Sequence, residues 1–483
     1  MSRKNKTVYL ILTVVLWISI WQVASYVIDN RIFLPSPLDT VKSLGALLIM
    51  KEFYISVFFS LGNIAKGFLL GVFFGTVLAV LASLTGFLEM FLSLPMRVIK
   101  AVPVASFTIL ALFWVDSAEL SVLISFFMVL PIIYTNVLTG IRETDRKLLE
   151  MAEVFRMSLG NRVRFLYVPS VLPYLFSASS VAIGLAWKSG IAAEVIGLTK
   201  ASIGNYLYEA KIYLEMPTLF AWTCVIVFIS ILSEKLVLVL LRILEHKMLG
   251  KAEETVKAEK ENVSRMHVTQ ELKRRKKPEE TPTSQTGSED GAVFLRNVSK
   301  VYGEKQVLDH VTLTMLPNHP VALMGSSGIG KTTLLRLILG TEKPSAGQIE
   351  RVPDKMNFSV VFQENRLCEA VSVEQNLKMV CRNKKQKDAI EEILVRLGLS
   401  ECRKQRVTAL SGGMKRRVAI GRTLVHDAKV MLLDEPFQGL DEETKKYVME
   451  YLKEKTDGKS LLLVTHEKQE AMALDCKIVQ LDK

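Results

Sequence analysis

Val321-Ala-Leu-Met324 runs without a break into Gly325-Ser-Ser-Gly-Ile-Gly-Lys-Thr-Thr333, and Leu334 to Leu339 follows with helical periodicity. Four apolar residues closed by glycine read as a buried strand, and strand, glycine-rich loop and helix in that order form the setting of a phosphate-cradling P-loop. The glycines let backbone N–H groups turn toward phosphate, and the helix N-terminus adds its positive dipole end. Lys331 can reach the β- and γ-phosphates and Thr332 can ligate Mg2+, so Gly325, Ser326, Ser327, Gly328, Ile329, Gly330, Lys331, Thr332 and Thr333 are all expected to contact nucleotide.

Downstream, the apolar residues Val430 to Leu433 predict a second buried strand ending in Asp434-Glu435. A carboxylate pair at a strand's C-terminal edge lies where α/β sheets place ligands. One carboxylate can hold the Mg2+ shell while the other polarises an attacking water. From Val293 onward, short β-branched runs alternate with amphipathic helical patterns, which predicts an α/β domain with a largely parallel sheet.

Upstream the chain changes character. Its 483 residues exceed one ordinary domain, and the net charge of +12 comes from basic residues crowded beside apolar stretches. That pattern points to a lipid bilayer and away from nucleic acid. Apolar segments near Val8 to Ile28, Gly67 to Leu84, Val104 to Val115, Leu120 to Leu138, Val171 to Trp187 and Leu219 to Leu232 predict about six membrane spans. The first follows Arg3, Lys4 and Lys6 but is long enough to span and lacks a small-residue cleavage site, so it reads as a retained helix. The third is short and is expected to extend back through Pro103 toward Phe91, taking Arg97 and Lys100 with it. Arg142, Arg146, Lys147, Arg156, Arg162 and Arg164 mark the loop between the fourth and fifth spans as cytosolic. Gly67, Gly71 and Gly75 leave one helix face bare for close packing. Lys188 and Glu194, six residues apart, fall on different faces of a regular helix and should not pair. The cysteines Cys224, Cys368, Cys381, Cys402 and Cys476 lack metal-ligand spacing and read as reduced packing residues.

The C-terminal motifs, taken together, resemble the ATPase subunit of ABC transporters over residues 293 to 483. Tyr302 matches the adenine-stacking aromatic residue, and Gln363 in Val-Val-Phe-Gln-Glu matches the Q-loop. Leu410-Ser411-Gly412-Gly413-Met414 resembles the signature sequence, Gly439-Leu440-Asp441 the D-loop, and His466 after Leu461 to Val464 the switch histidine. The resemblance implies ATP with Mg2+ as cofactors, Glu435 as general base, and Thr332, Gln363 and Asp434 around the metal. It also implies His466 as γ-phosphate sensor, and Ser411, Gly412, Gly413 and Asp441 at a site closed by a second copy of the chain. Met414 and Arg416 stand where Gln is usual, and the segment between Leu339 and Gln363 is short, which should trim the peripheral strands.

Residues 1 to 250 resemble permeases of the nitrate, sulfonate, taurine and thiamine-precursor importers. Leu34-Pro-Ser-Pro37, the run Ala186 to Gly197, Asn205-Tyr-Leu and Phe220-Ala-Trp222 carry that likeness. Glu150-Met-Ala152, Gly160 and Val168-Pro169 resemble the EAA loop, with Met151 and Val168 departing from it. The likeness implies a short cytosolic helix, small at Ala152 and terminated by Gly160, that docks on the ATPase near its Q-loop. The expected architecture is an all-α polytopic membrane domain over 1–250, a charged flexible linker over 251–291, and an α/β P-loop ATP-binding domain of the ABC type over 292–483. The implied activity is import of a small solute by a homodimer served by an extracytoplasmic substrate-binding protein, in the bacterial cell membrane with N-terminus and ATPase cytoplasmic. An exporter, or an anchored ATP-dependent regulator, is the alternative; the EAA-like loop argues against the first.

Overall fold

The structure, a computed structural model, describes residues 3–30, 32–249, 290–326 and 328–481. It divides into two units, Met1–Glu143 with Ser170–Glu245, and Thr144–Pro169 with His246–Lys483.

The first unit is helical: α1 (Arg3–Ile28), α2 (Pro37–Ile49), α3 (Lys51–Leu84), α4 (Gly86–Ala101), α5 (Val104–Ala111) and α6 (Ser117–Arg142) precede an excursion into the second unit. There lie α7 (Arg146–Val154) and α8 (Leu159–Arg162), after which α9 (Val168–Gly197), α10 (Ile203–Ile212) and α11 (Met216–Leu249) follow. Among the described residues five helices are long and apolar enough to cross a membrane, or six if α4 and α5 form one broken span. The expected third span is thereby corrected: the run from Phe91 to Val115 is not one helix, because α4 and α5 meet at 101°. Pro103 has no N–H to offer the ladder and drives Val102 to an extended φ of −72° and ψ of 127°. Arg97 and Lys100 are exposed on α4, and Lys100 donates to the Thr135 hydroxyl at 2.9 Å.

The Leu34 to Pro37 segment ties α1 to α2. Trp21 Nε1 donates to Pro35 O at 3.0 Å, Ser25 Oγ donates to Leu34 O at 3.0 Å, and Ser36 caps α2 with Pro37 in its first turn. Glu194 is fully buried and accepts from Ser60 Oγ at 2.7 Å and Gly204 N at 3.1 Å, while Lys188 is exposed; the two do not meet.

The bare face of α3 lies on α6. A Cβ at Gly67 would stand 2.4 Å from Val122 O, at Gly71 2.7 Å from Val129 Cβ, and at Gly75 2.9 Å from Ile133 Cβ. Glycine is therefore what allows the two backbones to approach. Gly67→Ala should destabilise the protein by about 1–3 kcal/mol and lower its melting temperature in detergent. Gly62→Ala, with open space around its Cβ, should leave it unchanged.

The second unit holds two sheets. β1 (Ala292–Tyr302), β2 (Lys305–Met315) and β4 (Ala346–Val352) form an antiparallel sheet in the order β2-β1-β4. β3 (Val321–Met324), β5 (Phe358–Val361), β6 (Val430–Asp434), β7 (Ser460–Val464) and β8 (Lys477–Gln480) pair in parallel in the order β5-β6-β7-β3-β8. The first four of these strands are buried along their whole length, which is why they read as unbroken apolar runs. The short segment between Leu339 and Gln363 still carries β4 and β5. Of the linker expected over 251–291, residues 251–289 lie outside the described residues, whereas Gly291 O already accepts from Ser460 Oγ at 2.7 Å. All five cysteines are free; Cys368, Cys381 and Cys402 are buried packing residues, but Cys224 is exposed, contrary to expectation.

Candidate active site

The expected nucleotide-binding residues emerge from neighbouring strand ends. After β3 the loop enters the helix Lys331–Leu339 through Gly330 at φ 111°, where a Cβ would stand 2.7 Å from Leu308 Cδ2. Ser327 lies outside the described residues. Lys331 is buried, its Nζ donating to Gly325 O at 2.7 Å and Ser326 O at 3.0 Å, so the ammonium sits within the curl of the loop. Thr332 Oγ1 donates to Asp434 Oδ2 at 3.3 Å. Burial pushes the Asp434 carboxyl up to about 6, opposed by that hydrogen bond.

A hydroxyl and a buried carboxylate make an oxygen pair suited to a hard cation. No cluster of three His, Cys, Asp or Glu side chains occurs among the described residues, but Mg2+ arriving with nucleotide phosphates needs only one or two protein oxygens. The donor set thus fits Mg2+.

Glu435, the next residue, takes a left-handed φ of 47°, and its Oε1 lies 2.8 Å from His466 Nε2 beyond β7. Tyr302 ends β1 with its ring partly exposed; its hydroxyl donates to Glu342 and accepts from Thr333 of the P-loop helix. Gln363, beyond β5, has an exposed side chain. Ser411 caps the helix Gly412–His426 by accepting from Met414 N at 3.3 Å, and Gly413 lies against Gly439 O, 3.1 Å from where its Cβ would be. Asp441 caps the helix Glu442–Thr456, accepting from Thr444 N at 3.0 Å. Lys331, Thr332, Asp434, Glu435 and His466 are thus gathered along one sheet edge, and the signature and D-loop residues are joined to each other through Gly413 and Gly439.

The same unit contains the basic loop. α7, capped by Asp145, buries Met151 and Ala152, and the chain then buries Phe155 completely. The Phe155 ring meets His426 edge-on at 5.1 Å between centroids, with the Arg422 guanidinium 5.3 Å from its centre. Around this plug, Lys147 pairs with Glu364 at 2.7 Å and Glu150 with Arg366 at 3.0 Å. Arg156 donates to Met356 O at 2.8 Å, Asn161 to Met379 O at 2.8 Å, and Arg382 to Phe155 O at 3.1 Å. Gly160 does not terminate the helix as expected: α7 ends at Val154, the turn is made by Arg156 at φ 47°, and Gly160 lies in α8 with open space about it. Sequence pattern does not single out Phe155, Arg366, Arg382 or Arg422, and it gives Arg156 only as a basic loop residue and Arg416 only as a departure from Gln. Only Phe155, an aromatic residue within a basic loop, carried a usable signal.

Burial lowers the His426 imidazole to about 4. Since this lies below its ordinary value of 6.5, the unfolded chain takes up the proton first. The stability it contributes is whole above pH 6.5 and is lost as pH falls toward 4, by at most about 1.4 kcal/mol per pH unit. His426→Gln should therefore flatten the melting-temperature profile of the full chain between these pH values.

Comparison with known proteins agrees with this geometry. Residues 67–250 match the family of binding-protein-dependent transport system inner membrane components, and residues 308–438 match the ABC transporter family. The chain is 36% identical over 210 residues to the spermidine/putrescine import ATP-binding protein PotA of Mesoplasma florum, covering 40% of this chain and 60% of that one. It is 37% identical over 199 residues to the aliphatic sulfonates import ATP-binding protein SsuB 1 of Burkholderia lata, covering 40% and 62%. The chain thus spans roughly three fifths of the length of these curated relatives, 60% and 62%. A solved ATP-binding subunit of an ABC transporter aligns with 39% of this chain and 85% of its own at 25% identity and a TM-score of 0.37.

Strand ends, P-loop and carboxylate pair define a nucleotide-binding domain of the P-loop class. More particularly, one chain joins a segment that matches the binding-protein-dependent permease family to a segment that matches the ABC transporter ATPase family, and five of its described helices are long and apolar enough to cross a membrane.

Proposed function

We propose that the chain is one half of an ATP-driven importer, a homodimer that receives a small solute from an extracytoplasmic substrate-binding protein in the bacterial cell membrane. In this reading residues 1–250 form the pathway, 251–291 link, and 292–483 hydrolyse ATP, with the N-terminus and ATPase cytoplasmic. The observation that carries it is the seated loop. Thr144–Pro169 is continuous with the apolar helices α6 and α9, yet it buries Met151 and Phe155 in the nucleotide-binding unit and pairs Glu150 with Arg366, close after Gln363. A regulator that moves no solute has no need of a rigid tie at that place.

Lys331 and the loop amides hold the phosphates, and Tyr302, anchored by Glu342 and Thr333, offers its ring to adenine. Thr332 and Asp434, with Gln363 nearby, supply oxygens for Mg2+, which when bound offsets phosphate charge. Glu435 accepts the proton of the attacking water, and His466, 2.8 Å away, steadies it and senses the γ-phosphate. Ser411, Gly412 and Gly413 of a second copy close the site. The ATPase relatives are named for polyamine and sulfonate import, so this half does not select the solute. The permease likeness favours a nitrate- or sulfonate-like anion or a thiamine-precursor-like heterocycle.

ATP hydrolysis by the full chain in lipid nanodiscs tests the reading. Glu435→Gln and Lys331→Ala should each lower turnover at least about 100-fold, and activity should be confined to discs holding two chains. Turnover that survives Glu435→Gln, or appears in single-chain discs, overturns it.

A further inference from the structure

Arg416 is the fifth residue of the helix Gly412–His426 and is 3% exposed. A cation near a helix N-terminus opposes the helix dipole, and a buried guanidinium costs several kcal/mol unless its donors are all met. Here they are met, and by two separate chain segments. Nε donates to Pro436 O at 2.9 Å, and one terminal nitrogen donates to Asp434 O at 2.6 Å and Glu435 O at 2.5 Å. The other donates to Phe362 O at 2.7 Å, Gln363 O at 3.1 Å and Asn365 Oδ1 at 3.2 Å. One planar fork thus joins the residues that follow β5 to the last residue of β6 and the turn beyond it.

Both turns matter to the chemistry. Glu435 holds a left-handed φ of 47°, a conformation that costs a non-glycine residue on the order of 1 kcal/mol and persists only where neighbours fix it. A hydrogen bond to its own carbonyl is such a fixture, and its side chain leaves the turn toward His466. On the other side, Arg366 lies with its guanidinium 4.1 Å from the centre of the Phe362 ring while pairing with Glu150 of the seated loop. An unbroken series of contacts therefore runs from Glu150 through Arg366, Phe362 and Arg416 to Glu435, without using the Gln363 side chain.

We propose that Arg416 is a positioning residue that fixes Glu435 in its working conformation and ties that conformation to the seating of the loop at Glu150. The proposal rests on the hydrolytic reading given above. Lysine cannot replace the fork, because an ammonium offers three donors from one point and cannot span both turns.

The test compares the wild-type full chain with Arg416→Gln, Arg416→Lys and Glu150→Gln, and with the double variant Arg416→Gln/Glu150→Gln, in two-chain nanodiscs. Arg416→Gln and Arg416→Lys should lower kcat for ATP by about 10- to 100-fold with the KM near wild type, and should also lower the melting temperature, because buried carbonyls lose their donor. Glu150→Gln should lower kcat in the wild-type background and add little in the Arg416→Gln background. Hydrogen exchange supplies a readout independent of turnover: Arg416→Gln should speed exchange in 362–366 and 434–440 together. Unchanged kcat, a fall in nucleotide affinity as large as the fall in kcat, or strictly additive effects of the two substitutions overturn the proposal. If the wild type itself hydrolyses no ATP, the functional reading fails, and the exchange experiment still decides whether Arg416 fastens the two turns.

Discussion

The pairing of four parallel strands in the order β5-β6-β7-β3 is the constraint on which the nucleotide-binding unit depends. Parallel strands about 4.8 Å apart all present their C-terminal ends on one edge. Here those ends deliver Gln363, Asp434 with Glu435, His466 and the P-loop as successive neighbours in a row about 15 Å wide. The register makes the alignment exact to the residue: Asp434 lies beside Val464, and Val464 beside Leu323. Burial on both faces holds that register, because sliding one strand would carry Asp434 out of reach of Thr332.

Beyond the ladder the backbone needs other partners. A buried carbonyl without a donor costs about 1–3 kcal/mol, and apolar side chains supply none. The helix Gly412–His426 answers with two buried arginines. Arg422 donates to Arg366 O at 2.6 Å and to Asn365 O at 3.1 Å, and Arg416 serves the carbonyls that follow β5 and those at the end of β6. Burial lowers their guanidinium values to about 9 and about 10, so both remain charged at neutral pH. The interior beside the site is therefore polar by necessity, and its donors are concentrated in one helix.

What could be read from the sequence follows from this physics. Four- and five-residue apolar strands ending in Gly325 or Asp434 announce themselves because composition and position coincide, and the glycine spacing on α3 predicts a close helix contact without saying that the partner is α6. The break at Pro103 was hidden inside a run whose hydropathy is continuous, since hydropathy does not register a missing N–H. Glycine is the common helix terminator, which makes Gly160 the residue that stands out in the sequence; Arg156 takes the left-handed turn instead, held by bonds to Met356 and Arg382 some two hundred positions away. The roles of Arg366, Arg416 and Arg422 were illegible for the same reason. An arginine in a basic helix, like Arg416 and Arg422, or in a polar loop, like Arg366, looks solvated until the sheet beneath it is known.

The seated loop shows how strength and specificity divide in this molecule. Its ion pairs are partly open to solvent, with Lys147 and Glu364 53% and 60% exposed, so each contributes at most about 1 kcal/mol. Burying Met151 and Phe155 contributes about 1.5–3 kcal/mol apiece, and that gain does not weaken with salt. The centre of the contact therefore supplies the hold, while the charged rim fixes which way the loop lies, as at the hot spots of protein interfaces. Between this anchored stretch and α9 runs the π-helical turn Val163–Tyr167, where the hydrogen-bond spacing of the helix changes. The anchored stretch thus ends in a turn of altered hydrogen-bond spacing, while its hold stays with Met151 and Phe155, whose burial does not depend on the charged rim.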